Sequence, residues 1–414
     1  MHNSDKDLPQ KVVSRRGFIK GTVAAGAAVA LSDRIAMATK MISGKEPTIE
    51  AVRGVGVDPG LVRMSLNENP LGPSPRAVEA IADRMFGVNR YGTELGDLMQ
   101  ALSEFDEVEL PEREQGNASF FRSPPGPFMI TSGSSQILGL LTLAYLSRTG
   151  GEVIEAEFGY GQVSRSGSTY KEIFGVDVNV INAPMTKGYK HDLDGMARLI
   201  SDKTTLAVIT NPNNPTGTLL QTEEIDQFIA KIPSSVVVIV DEAYLHFAEQ
   251  DPIPSAVPLA MKYDNVIAVR TFSKAYAMAS LRLGYAVASQ KIQTELKKYS
   301  TGGPNVLASV AGAAAVRDLD HLQKSREIVW QFKKRCYEEF DKMGLEYIPS
   351  QGTFIMVNIN RPARAIVAEM RKRKVSISNR RQVEFKNWIR ISAGTDYETE
   401  VFLKTLQDVL STAS

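Results

Sequence analysis

Between Phe128 and Ala288 the chain repeats one unit, a short apolar run rich in β-branched residues followed by a helical stretch. FMITSG, GEVIEAE, VDVNVIN, TTLAVIT, SSVVVIV, DNVIAVR and LGYAVAS mark the apolar runs. Strands that are apolar on both faces need cover on both sides, and helical crossovers between parallel strands supply it. The rhythm therefore predicts an α/β fold built on a large, mostly parallel, doubly wound sheet. From about residue 305 the pattern changes to long amphipathic helices interleaved with short strands, GTFIMVNI and WIRISAG, as in a smaller α+β domain. The expected division is a large domain over 85–304 and a small C-terminal domain over 305–414. Residues 39–84 read as a linker and an N-terminal segment packing on the small domain, and the acidic, Pro-rich stretch Glu104 to Pro127 as a surface insertion near the mouth of the site.

A chain of 414 residues with a formal net charge of +1 can bury two substantial cores. No long basic run lies outside the N-terminal 40 or so residues, so nothing favours a nucleic-acid or membrane-surface partner. The lone Cys336 cannot form an intramolecular disulfide and is expected to pack on the helix around IVWQFKKRCYEEF. The four histidines, His2, His191, His246 and His321, show no metal-ligand spacing. Gly54-Val55-Gly56 follows no strand, so it is not read as a dinucleotide fingerprint.

Three motifs carry chemistry. In TFSKAYAMASLRLGY (Thr271 to Tyr285), Lys274 follows the hydroxyls of Thr271 and Ser273 and precedes Arg282. Such a lysine can form a Schiff base with a carbonyl cofactor, and the hydroxyls and guanidinium suit a phosphate. An aldehyde and a phosphate on one cofactor point to pyridoxal 5′-phosphate (PLP). Upstream, NPNNPTG (Asn211 to Gly217) follows TTLAVIT, and DEAY (Asp241 to Tyr244) follows VVVIV. Both lie where a buried strand ends, the place where open α/β sheets gather ligand-binding groups. A buried Asp241 can pair with a protonated pyridine nitrogen. Asn214 and Tyr244 can hydrogen-bond the phenolic oxygen. Taken singly, the first motif could be a plain turn and the second a strand followed by a capped helix.

With LNENPLGPSP (Leu66 to Pro75), NRYGTELGDL (Asn89 to Leu98) and IRISAG (Ile389 to Gly394), these motifs stand in one order. From about Met64 onward the chain resembles the class I/II aminotransferases of PLP fold type I, and within them the histidinol-phosphate aminotransferases. The resemblance implies that Lys274 carries PLP and acts as the catalytic base. It places Gly133, Ser134 and Ser135, at the start of a helix, on the cofactor phosphate with Thr271, Ser273 and Arg282. It makes Phe158 the ring that stacks on the pyridine, although Ala156 and Glu157 replace the usual neighbours and a core phenylalanine is the alternative. Tyr91 would reach the phosphate of a partner subunit, which requires a homodimer with a shared active site. Arg390 would grip the substrate carboxylate, and the segment around Asn69 would cover the substrate. The implied reaction moves an amino group from an amino acid or related amine to a 2-oxo acid.

The N-terminus adds a second signal. Ser14-Arg15-Arg16-Gly17-Phe18-Ile19-Lys20 precedes an uncharged run to Leu31, and Ala36-Met37-Ala38 offers a small-residue cleavage site. This is the layout of a twin-arginine signal peptide over residues 1–38. Its apolar part is too short and too rich in Gly and Ala for a stable membrane span. The expectation is export of the folded protein by the twin-arginine translocase into the periplasm or beyond. Export argues against routine histidine biosynthesis, since histidinol phosphate is a cytoplasmic intermediate. Arg380 and Arg381 are candidates for a substrate phosphate, though a solvated basic turn explains them equally. The same residues would also serve an oxidase, cyclase or decarboxylase acting on amino acids. A non-catalytic PLP-binding module fits less well, because Lys274 is retained and residues 1–63 are too short for a DNA-binding domain.

Overall fold

The computed structural model describes residues 60–412 apart from Thr93, 113–125 and Arg381. The leader, the Gly54–Gly56 stretch and most of the segment expected to form a surface insertion at 104–127 lie outside the described residues.

The strands, in chain order, begin with β1 (Val62–Arg63) and β2 (Phe128–Thr131). Then follow β3 (Gly151–Ala156), β4 (Val178–Ala183), β5 (Thr204–Thr210), β6 (Val237–Asp241), β7 (Val266–Thr271) and β8 (Gly284–Ala288). The set closes with β9 (Tyr347–Ile348), β10 (Phe354–Asn358), β11 (Val375–Ser376), β12 (Ser378–Asn379) and β13 (Trp388–Ser392). A seven-stranded sheet has the order β2-β8-β7-β6-β5-β3-β4. All its pairings are parallel except those of β8, which runs against both β2 and β7. The mostly parallel sheet read from the sequence is the observed one.

Burial on both faces explains the composition of the central strands. Along β6, Val238 and Val240 enter one apolar cluster while Val237 and Ile239 enter the other, as strand alternation requires. Each such side chain, taken fully out of water, stabilises the fold by roughly 1.5–3 kcal/mol.

Because β8 is antiparallel to β7, the link between them needs no crossover helix. It is the Lys274 run, and it leaves and re-enters the sheet at the register pair Thr271–Gly284. Thr210 is in register with Asp241. The Asn211 N–H bonds the Asp241 carbonyl at 2.8 Å, so the NPNNPTG and DEAY segments start side by side.

The second sheet is antiparallel, in the order β12-β13-β10-β9. β1 pairs in parallel with β11, Val62 against Val375, which ties the start of the described chain to its C-terminal part. The helix Leu319–Met343 buries Val329, Phe332, Cys336 and Phe340 along one stripe. Cys336 is a free, buried thiol on that stripe, as the sequence pattern suggested.

One boundary differs from the sequence reading. Residues 104–106 belong to the helix Glu94–Asp106 rather than to the insertion. That helix buries Leu98, Met99, Ala101 and Leu102, and Asp106 pairs with the buried Arg270, which carries the helix one turn further. Among the described residues no helix is long and apolar enough to cross a membrane.

Candidate active site

The C-terminal ends of β5, β6 and β7 bring the three motifs to one edge of the sheet. Asp241 closes β6 and is 4 % exposed. Burial, joined by the charges of Glu155 and Glu242, pushes its carboxyl up to about 7, against the opposing Ala243 N–H bond at 3.2 Å and the charge of Lys274. Among the described residues no cation forms an ion pair with it. A buried carboxyl without a cation is an unfinished site, and a protonated pyridine nitrogen would complete it.

Lys274 is half-buried on the β7–β8 link. Its Nζ donates to the Leu66 and Asn67 carbonyls at 3.2 and 2.9 Å and sits 5.6 Å from the centroid of the Tyr244 ring. The Tyr244 hydroxyl accepts from the Asn214 amide at 3.3 Å and from the Asn67 amide at 3.0 Å, leaving its own O–H as a donor. Lys274, Asn214 and Tyr244, chosen from separate motifs, therefore meet.

The phosphate candidates converge as well. Gly133 precedes the helix Ser134–Leu146 with φ of +88°, a conformation that favours glycine. A Cβ there would lie 2.5 Å from Arg282 Nη2, so only glycine lets the guanidinium close over this helix start. Arg282 is held by its Nη1 bond to the Ala279 carbonyl at 2.7 Å. The Thr271 hydroxyl bonds that of Ser273 at 3.0 Å and accepts the Ser273 N–H at 3.1 Å. Ser134 is half-buried and Ser135 exposed on the first turn. A helix N-terminus, hydroxyls and a guanidinium together suit a phosphate dianion. These residues fit PLP.

Arg390, on β13, is 8 % exposed. Its Nη1 donates to Asn214 Oδ1 at 2.8 Å and its Nη2 to the Ser65 carbonyl at 3.1 Å, while Nε is buried with no partner. Burial holds it below the usual arginine range. No acid among the described residues pairs with it, so it has N–H groups left for a substrate anion. Arg380, pushed down to about 10 by burial and then by the charge of Arg390, also has a buried Nε without a partner. Of the two candidate phosphate ligands, Arg380 thus stands in the field of Arg390 and Tyr244, while Arg381 lies outside the described residues.

Three other candidates have more particular placements. Phe158 is buried edge-on to Phe385 at 4.8 Å, with Tyr189 at 6.4 Å, in a cluster with Trp388. Asn69 spends its amide inside the chain: Nδ2 reaches the Ala275 carbonyl at 2.9 Å and the Ser325 hydroxyl at 3.0 Å, and Oδ1 accepts the Leu71 N–H at 3.0 Å. Its visible work is to pin the covering segment beside Lys274. Tyr91 is 82 % exposed, in a stretch that also exposes Met85, Phe86 and Val88.

Sequence reasoning missed Asn67 and Tyr160. Asn67 joins Tyr244 to β13, since its Oδ1 accepts the Ser392 hydroxyl at 2.9 Å. The Tyr160 hydroxyl, raised chiefly by burial, lies within the fields of Tyr244, Asp241, Arg165 and Arg282. Asn67 lies in the LNENP motif and could have been taken with Asn69. Nothing in sequence distinguishes Tyr160 from a surface tyrosine. Among the described residues no group of three or more His, Cys, Asp or Glu is placed to hold a metal ion.

This geometry agrees with three comparisons. Residues 59–406 match the family model described as aminotransferase class I and II. The chain is 35 % identical over 368 residues to a histidinol-phosphate aminotransferase of Akkermansia muciniphila, covering 88 % of this chain and 94 % of the relative. It is 33 % identical to histidinol-phosphate aminotransferase 2 of Pseudomonas fluorescens, covering 90 % and 95 %. Its fold matches the crystal structure of histidinol-phosphate aminotransferase from Sinorhizobium meliloti in complex with pyridoxal-5′-phosphate. There the TM-score is 0.75 at 23 % identity, over 90 % of this chain and 99 % of that one. The chain therefore belongs to the class I and II aminotransferases, PLP enzymes of fold type I.

Proposed function

We propose the following reading of the site. The protein is a PLP-dependent aminotransferase, moving an amino group from an amino acid or related amine to a 2-oxo acid. The observation that carries the reading is the convergence of the Lys274 amine, the Tyr244 hydroxyl and the buried Asp241, which forms no ion pair among the described residues, at one sheet edge. Bound PLP supplies the carbonyl and the electron sink that let an amino group leave one carbon and arrive at another. Asp241 holds a proton on the ring nitrogen. The helix start at Gly133–Ser135, with Thr271, Ser273 and Arg282, holds the phosphate. Asn214 and Tyr244 orient the phenolic oxygen. The Lys274 amine would take the proton from the substrate Cα and deliver it to the cofactor carbon that carried the carbonyl. The 66–69 segment covers that amine, which limits access of bulk water.

Arg390 binds an anionic group of the substrate, and the nearby Arg380 lets that group be doubly charged or be joined by a second one. An amino acid α-carboxylate and the phosphate of histidinol phosphate both satisfy this requirement. The exposed Tyr91 supports a homodimer in which each subunit completes the other's phosphate site. The Arg15-Arg16 motif and the Ala36–Ala38 site support export by the twin-arginine translocase, and thus a role in making a secreted amino-acid-derived metabolite.

The test is a spectrophotometric scan of the leaderless holoenzyme against a panel of amino acids and histidinol phosphate. Formation of pyridoxamine phosphate with one donor, reversed by a 2-oxo acid, is the expected result. Oxygen uptake or carbon dioxide release without pyridoxamine phosphate would transfer the assignment to oxidase or decarboxylase chemistry. Lys274→Ala should lower turnover by at least about 10⁴-fold, since it removes both the anchor and the base, and near-normal turnover would refute the assignment.

A further inference from the structure

Glu155 is a buried carboxyl to which the site as described assigns no ligand-binding role. It is the penultimate residue of β3 and 3 % exposed. An ionisable side chain in such a place destabilises the fold unless its oxygens are satisfied. Here Oε1 accepts the Gly161 N–H at 2.6 Å and Oε2 the Ser164 hydroxyl at 2.5 Å. Gly161 precedes the helix Gln162–Phe174 and has no side chain to cap it. A strand residue thus caps this helix, with its charge at the positive end of the helix dipole.

Between strand and cap, the loop 156–160 wraps tightly round the carboxylate. A Cβ on Gly159 would come 3.1 Å from both Glu155 Cγ and Glu155 Oε1. The loop carries Phe158, whose carbonyl accepts the Asn213 amide at 3.0 Å, and Tyr160, whose hydroxyl lies in the field of Asp241 and Arg282. An apolar residue at 155 would suit the strand equally well but leave the Gly161 N–H without its acceptor. We propose that Glu155 is a positioning residue of the active site: its carboxylate clamps the 156–161 loop, fixing the turn that carries Tyr160 and keeping Phe158 beside the Asn211–Gly217 segment. Glu155 touches neither cofactor nor substrate and acts through the loop. The inference rests on reading this sheet edge as the PLP site.

The experiment compares Glu155→Leu, Glu155→Gln and Ser164→Ala in the full-length protein. The readouts are hydrogen exchange of the cofactor-free form, the PLP dissociation constant, and KM against kcat. In Glu155→Leu the amides of 157–164 should exchange about tenfold faster. PLP should bind about tenfold more weakly, and kcat should fall more than KM rises. Glu155→Gln keeps an acceptor for the Gly161 N–H and should recover exchange and PLP affinity to within about threefold. Ser164→Ala should fall between the two.

Unchanged exchange and affinity in Glu155→Leu, or Glu155→Gln as impaired as Glu155→Leu, would overturn the proposal. Should Glu155→Leu not fold, unchanged loop exchange in Ser164→Ala would overturn it. Hydrogen exchange reads the clamp without cofactor, so failure of the wild type to bind PLP would count against the site reading alone.

Discussion

At the scale of single residues, Asp241, proposed to pair with the cofactor ring nitrogen, departs from what stability alone would select. A β-branched apolar residue would suit the end of β6, yet the chain places there an acid whose carboxyl burial pushes up to about 7 from 3.8. In the cofactor-free protein the folded state keeps this proton until about pH 7, whereas the unfolded chain loses it near 3.8. The stability tied to that proton is fully present below the unfolded value and is lost as pH rises through the folded one. Its size is about 4 kcal/mol, since each pH unit between the two values is worth roughly 1.36 kcal/mol. Asp241→Asn cannot ionise, so the cofactor-free variant should gain stability over the wild type between pH 5 and pH 8, as read by urea denaturation. Parallel pH profiles for the two proteins would contradict the assignment. The residue itself was legible in sequence, because an acid directly after VVVIV is out of place in an ordinary buried strand. Tyr160 was not, because its role depends on where the loop after β3 turns.

At the scale of elements, the helix Ser134–Leu146 is placed by the sheet, and its N-terminal glycine lets Arg282 close over the helix start proposed to hold the phosphate. Gly133 has two reasons to lack a side chain, its φ of +88° and the Arg282 guanidinium 2.5 Å from where a Cβ would stand. Gly133→Ala should strain the cap and displace Arg282. PLP affinity should then fall by about tenfold or more, in line with a lost charge-assisted hydrogen bond, while the far-UV spectrum stays unchanged. Equilibrium dialysis of the variant checks this, and wild-type affinity would remove Arg282 from the phosphate site. The elements themselves were largely readable, because strands buried on both faces announce themselves as unbroken apolar runs. The extension of the helix Glu94–Asp106 was not, since its last turn is held by the Asp106–Arg270 ion pair, whose members are far apart in sequence.

At the scale of the whole molecule two expectations reach beyond one folded chain. Tyr91 and its exposed apolar neighbours predict a homodimer, which sedimentation equilibrium of the leaderless protein would show as twice the chain mass. A monomer that still turns over would remove Tyr91 from the phosphate site. Replacing both Arg15 and Arg16 by lysine should abolish export and cleavage near Ala38, measured by fractionation and N-terminal sequencing. Unchanged export would exclude the twin-arginine route.

The sequence by itself determined the fold class, the cofactor and the residues proposed to hold it. Each of those rests on local signals, namely apolar runs of strand length, turn residues at strand ends and a lysine flanked by phosphate-binding groups. Tertiary structure alone decided how the site is closed. Asn67 meets Tyr244 and Ser392, Arg390 reaches Asn214, and Glu155 gathers the loop that carries Tyr160. Except for the Glu155 clamp, which is local but undistinguished in sequence, these contacts join positions more than 170 residues apart. Their partners are chosen by β13 lying beside the start of the described chain, a pairing that no local pattern encodes.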